Sequence, residues 1–138
     1  MRCVIQKVNK SSVTVDGKLI SEIGRGLNVL VGFTDTDTEE DIKYCVRKIV
    51  NLRVFEDEND VMNKSILDVG GDVLSISQFT LYGDATKGNR PSYIKALIYG
   101  NSFHLLNSLI PCLCHTDIKM VNVSGTTISD AINFLTAL

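Results

Sequence analysis

Apolar and polar residues along this chain fall into short runs with the periods of strands, interrupted by one clear helical pattern. Arg2–Val8 sets Val4, Ile5 and Val8 among polar neighbours, and residues 12–15 and 19–20 flank Asp16-Gly17. Asp-Gly between such runs signals a type I′ hairpin turn. Residues 26–33 form an apolar run bounded by glycines and rich in β-branched side chains, which predicts a core strand. Asp37 followed by Glu40 forms a capping box ahead of Ile42, Cys45, Val46, Ile49 and Val50, whose spacing predicts a helix with Cys45 on its core face. Residues 52–55 read as a short strand ending in the acidic run 56–60, a solvated loop.

After the turn Gly70-Gly71-Asp72, residues 75–83 read as one buried strand whose end carries hydroxyl and amide side chains. Residues 102–110 predict a second helix that stops near Pro111, 117–123 a strand, and 128–138 an amphipathic segment of either class. Strands outnumber helices. The expected fold class is therefore α/β: a single domain over residues 1–138, with a curved or barrel-like β-sheet packed by two or more helices.

Composition narrows the partners. With 138 residues, 44% hydrophobic and 22% charged, the chain can bury one real core. A formal charge of −2 argues against the broad cationic coat of a non-specific nucleic-acid binder, so no DNA partner is expected, and leaves room for a local RNA contact. Cys3, Cys45, Cys112 and Cys114 fall at unrelated spacings behind a start too polar for a signal peptide, so a cytoplasmic protein with reduced thiols is expected. No apolar run approaches the ~18 to 20 residues of a membrane-spanning helix, so no membrane partner is expected.

A hydrolytic triad needs an imidazole, and only His104 and His115 offer one; His104 leads into an apolar helix and reads as structural. Cys112-Leu113-Cys114 lacks zinc spacing, so neither metal nor cofactor is expected. Gly24, Gly26 and Gly32 do not form a phosphate-binding glycine motif. The candidates that remain are Ser77, Gln78, Phe79 and Thr80. Strand alternation would put Ser77 and Phe79 on one face and Gln78 and Thr80 on the other, unless the strand ends there. Such a segment can be an ordinary polar edge strand, or its backbone N–H groups can form an oxyanion hole for an ester. The basic loop behind it, with Lys87, Asn89, Arg90 and Pro91, suits a phosphate-bearing substrate.

Ser77-Gln78-Phe79-Thr80-Leu81 followed by Lys87-Gly88-Asn89-Arg90-Pro91 resembles the signature of the D-aminoacyl-tRNA deacylases, also called D-tyrosyl-tRNA deacylases. The stretches 1–8, 12–15, 23–27 and 47–55 resemble that family in the same order, so the likeness covers about residues 1 to 96. It implies a homodimer that hydrolyses the ester joining a D-amino acid, or glycine, to the 3′-terminal adenosine of aminoacyl-tRNA, as translation quality control. It also implies that the Ser-Gln-Phe-Thr segment lines the pocket, with the Phe79 and Thr80 amides near the carbonyl and a tRNA ribose hydroxyl assisting attack. Thr80 is the alternative nucleophile, without a partner in the sequence to activate it.

Near its end the family carries an Asn-x-Gly-Pro-Val-Thr-like segment. Here residues 121–128 align on Asn122 and Thr127, but Ser124-Gly125 stands where Gly-Pro is expected, and Pro91 and Pro111 are the only prolines. A diverged family member and a terminus altered by a changed reading frame both fit. Two functions stay open: the deacylase, and a catalytically weak homologue acting as a dimeric tRNA-end binding or structural protein.

Overall fold

A computed structural model describes residues 1–97 and 120–123. The chain opens with β1 (Arg2–Val8), then β2 (Ser11–Val15) and β3 (Lys18–Ile23), then β4 (Gly26–Gly32). The turn joining β2 to β3 has positive φ at both Asp16 (49°) and Gly17 (75°), as the Asp-Gly signal predicts. Helix α1 (Glu39–Asn51) follows, then β5 (Phe55–Glu56), β6 (Met62–Lys64), the short helix α2 (Ile66–Val69) and β7 (Asp72–Ser77). A 3-10 turn spans Phe79–Tyr82, and β8 is Met120–Val123.

The expectation of a curved or barrel-like sheet is overturned. The strands divide into an open four-stranded sheet of order β1-β4-β7-β8 and two separate hairpins, β2-β3 and β5-β6. β1 pairs antiparallel with β4, whereas β4-β7 and β7-β8 are parallel. Among the described residues β1 and β8 remain opposite edges, so the sheet does not close. Counting strands in the sequence could not reveal that two pairs of them leave the main sheet.

The core sits on both faces of β4 and β7. Leu27, Val29, Val31 and Val73 pack with Ile42, Val46, Ile49 and Val50 of α1 and with Phe33, Phe55 and Ile66. On the opposite face Leu74 and Ile76 meet Val13 and Ile23 of the β2-β3 hairpin. Each such fully buried side chain contributes roughly 1.5–3 kcal/mol over an exposed one. Cys45, expected in the core, is only half-buried.

Several local expectations shift. The N-cap of α1 is Thr38 with Asp41 in the capping box, one residue beyond the Asp37-Glu40 pair. Asp37 is engaged elsewhere: its carboxylate accepts from the Thr34 amide at 2.8 Å and pairs with the amino terminus. The 52–55 strand contracts to Phe55–Glu56, and the acidic run becomes the head of the β5-β6 hairpin. There Asp57 accepts from the amides of Asn59 (2.8 Å) and Val61 (3.2 Å) and from the Asn63 side chain (2.9 Å). The predicted strand at 117–123 is Met120–Val123. The helix expected at 102–110, the segment 128–138 and residues His104, Cys112, Cys114, His115 and Thr127 lie outside the described residues.

Candidate active site

β7 carries the polar motif to the end of the parallel ladder. Ser77 lies opposite Val31, and the Gln78 amide adds one more rung by donating to the Val31 carbonyl at 2.7 Å. The strand stops there, so the continuous strand over 75–83 is not formed and its two-face alternation does not apply. Residues Phe79–Tyr82 instead make one 3-10 turn, tied by Leu81 N–H to Gln78 O (3.3 Å) and Gly83 N–H to Thr80 O (2.9 Å).

The sequence explanation for the bend lies in β4. A Cβ at Gly32 would stand 2.9 Å from Gln78 O, 3.1 Å from Leu81 Cβ and 3.3 Å from Tyr82 Cδ2. The missing side chain is the space the turn occupies. Because a helical turn leaves its first amides without internal acceptors, Phe79 and Thr80 present adjacent N–H groups; among the described residues neither has an acceptor. Two preorganised donors side by side suit an oxygen that gains negative charge.

The side chains do not supply a base. Gln78 Nε2 donates to Thr80 Oγ1, and an amide cannot take up the hydroxyl proton. Phe79 packs edge to face on Tyr93, with ring centroids 5.4 Å apart and planes at 72°. Arg2 reaches from β1 to donate to the Leu81 carbonyl at 2.8 Å, and its guanidinium lies 4.5 Å from the Tyr82 ring centroid. Burial raises the Tyr82 phenol above its ordinary pKa, Asp37 adding to the effect and Arg2 opposing it. Thiol chemistry is disfavoured at Cys3, where burial foremost and Cys45 next push the pKa up to about 12.

The basic loop follows immediately. Asp84 and Ser92 bridge its stem through two backbone bonds of 2.9 and 2.8 Å, while the Asp84 carboxylate accepts from the Thr86 hydroxyl (2.6 Å) and amide (3.0 Å). Those bonds, the hydroxyl's first, hold the Asp84 carboxyl below its usual range. Lys87, Asn89, Arg90 and Pro91 are exposed on the loop, and Lys95 comes within 4.0 Å of Asp84. Ser77 thus ends β7, Gln78 leads into the turn, and Phe79 and Thr80 open it, while Lys87, Asn89, Arg90 and Pro91 lie on the loop that follows. The backbone of Asn122 pairs in register with Ser75 on the neighbouring strand. Sequence reasoning missed Arg2, Gly32 and Tyr93 as parts of this site; a glycine closing an apolar strand was the one available signal, for Gly32.

The family described as D-Tyr-tRNA(Tyr) deacylase matches residues 4–125. The chain belongs to the D-aminoacyl-tRNA deacylase family. The D-aminoacyl-tRNA deacylase of Clostridium botulinum (strain Loch Maree / Type A3) is 59% identical over 110 residues, 80% of this chain and 74% of that protein. The D-aminoacyl-tRNA deacylase of Clostridium acetobutylicum is 53% identical over 121 residues, 88% of this chain and 80% of that protein. The solved structure of the c-Myc DNA Unwinding Element Binding Protein is similar with a TM-score of 0.83 at 39% identity, covering 92% of this chain and 87% of that one. The deacylase match runs past residue 96, where the likeness in the motifs stops, and takes in Asn122 but not Thr127.

Proposed function

We propose that this deacylase hydrolyses the ester of D-aminoacyl-tRNA on the turn that follows β7, with the Phe79 and Thr80 amides as its oxyanion donors. The class of reaction rests on family membership. The observation that carries the site is the pair of adjacent amides without acceptors among the described residues, held beside a half-buried Ser77 and Gln78.

In this reading the aminoacyl carbonyl oxygen faces the two N–H groups. Water adds to the carbonyl carbon and the developing negative charge is received by donors already in place. The carbon–oxygen bond to the tRNA ribose then breaks, and the proton given up by water passes, through the neighbouring ribose hydroxyl, to the departing ribose oxygen. The substrate supplies its own proton path, which suits a turn without a side-chain base. One oxyanion donor contributes about 10²–10³ in kcat, or about 2.7–4 kcal/mol.

Lys87, Asn89, Arg90 and Pro91 form the proposed rim for the tRNA end, and Asn122 and Thr127 complete the substrate contacts. Glycyl-tRNA is a second substrate in the same reading. A cytoplasmic homodimer is the proposed working form, on the ground of family membership. Purified protein incubated with D-aminoacyl-, L-aminoacyl- and glycyl-tRNA tests the assignment by ester loss above the spontaneous background. Rapid loss of the D-ester with slow loss of the L-ester is expected. Equal loss of both, or none above background, overturns it.

A further inference from the structure

We propose that Arg2 is a positioning residue for deacylation, holding the 3-10 turn in the one arrangement that aims the Phe79 and Thr80 amides together. The inference rests on the reading of those amides as oxyanion donors and adds the group that fixes them.

A single 3-10 turn is weak by itself, because few hydrogen bonds offset the ordering of its residues. This one has its Leu81-to-Gln78 and Gly83-to-Thr80 bonds, the first long at 3.3 Å. Its near end is anchored to the sheet through the Gln78 amide. The far end runs into the loop stem bridged by Asp84 and Ser92 rather than into the main sheet, and Arg2 meets the turn there. Arg2 stands opposite Gly32 in the β1-β4 register, beside the gap that admits the turn. From that position it makes both its 2.8 Å bond to the Leu81 carbonyl and its contact with the Tyr82 ring. A planar cation can donate to a carbonyl and stack on an aromatic face at once, which fixes translation and tilt together. Sheet, gap and guanidinium thereby grip the turn from three sides while leaving its first amides open.

Arg2→Met keeps much of the apolar stem and removes the donor and the charge. Its expected effect is a fall in kcat of about tenfold with KM within about twofold, since misaimed donors act on the transition state rather than on binding. Arg2→Lys keeps a cation and a donor but loses the planar group that stacks on Tyr82, so its kcat should fall between those of Arg2→Met and the parent. Arg2 is exposed, so the melting temperature of both variants should stay close to the parent's. A merely structural arginine would instead lower melting temperature and active fraction together at unchanged kcat per active site. An arginine that binds tRNA phosphate would raise KM and flatten the salt dependence at unchanged kcat. Either result overturns the proposal.

Replacing Phe79 by its α-hydroxy analogue, phenyllactic acid, removes that one N–H and separates the two ideas. A loss of kcat there together with a loss in Arg2→Met supports both. A loss there with parent kcat in Arg2→Met removes Arg2 and keeps the donor assignment. Parent kcat for the phenyllactic acid protein removes the Phe79 donor and, with it, the role given to Arg2.

Discussion

Gly32→Ala should injure catalysis through the shape of one turn. The added Cβ would lie 2.9 Å from Gln78 O, whereas ordinary contact begins at 3.4 Å, so the carbonyl must retreat by about 0.5 Å. A main-chain oxygen cannot rotate out of the way as a flexible side-chain tip can. The preceding amide is held to Val31 O at 2.7 Å, which directs the displacement forward into Phe79 and Thr80. Overpacking of this kind costs about 1–3 kcal/mol and should lower the melting temperature by about 5 °C. A 1 Å misplacement can lower a rate about 100-fold, so half that shift predicts roughly a tenfold fall in kcat. Single-turnover hydrolysis of D-aminoacyl-tRNA at saturating enzyme, beside a thermal melt, measures both. Gly24→Ala is the control, since a Cβ there meets nothing within 4 Å; it should match the parent or melt slightly higher. A Gly32→Ala protein with parental single-turnover rate would refute the link between the gap and the donors.

Thr80→Ala should retain much of the parent kcat, because its hydroxyl is bonded to an amide rather than a base; loss of turnover with intact folding and KM would establish the side-chain nucleophile. Replacing Lys87, Arg90 and Lys95 together by alanine should weaken binding to different tRNAs alike and reduce the salt slope, as read from binding across a salt series. Lys95 should contribute least, being within 4.0 Å of Asp84. The Asp41, Asp57, Asp68 and Asp84 carboxyls are all held below their ordinary pKa by local hydrogen bonds. Their stabilisation is present above the unfolded-state value and lost as pH falls through the folded one. Melting temperature should therefore be insensitive to these groups from pH 5 to 7 and decline below about pH 4; a decline already complete at pH 5 would contradict this.

The parts of the fold legible in the sequence are those whose cause is local. Asp16-Gly17 announces its turn because both residues must take positive φ, and Ile42, Val46, Ile49 and Val50 announce α1 because they share one face. The sequence points to a cap one residue early because Asp37-Glu40 and Thr38-Asp41 have the same form. What separates them is the distant amino terminus, which engages Asp37. Helix α2, four residues long, is too short to show a period. At the site, the run Ser77 to Thr80 was recognisable as chemistry, but its bend was not, since the cause is a gap at Gly32 on another strand. Arg2 was silent for the same reason: its partners, Leu81 and Tyr82, become neighbours only through the β1-β4 register. The barrel failed on pairing, which alternation of apolar residues does not encode.

The rung from Gln78 to Val31 also fixes when the active turn can first exist. Val31 and Gln78 are separated along the chain by α1, the β5-β6 hairpin and α2, and the entropy of closing that crossover must be met before their bond can form. During synthesis, Phe79 and Thr80 leave the ribosome as an unshaped peptide whose amides serve no reaction. Catalytic competence is acquired at docking of β7. In the finished protein the Gln78 amide should exchange its proton with solvent only through openings that release that strand, so its exchange rate is a clock for assembly of the site.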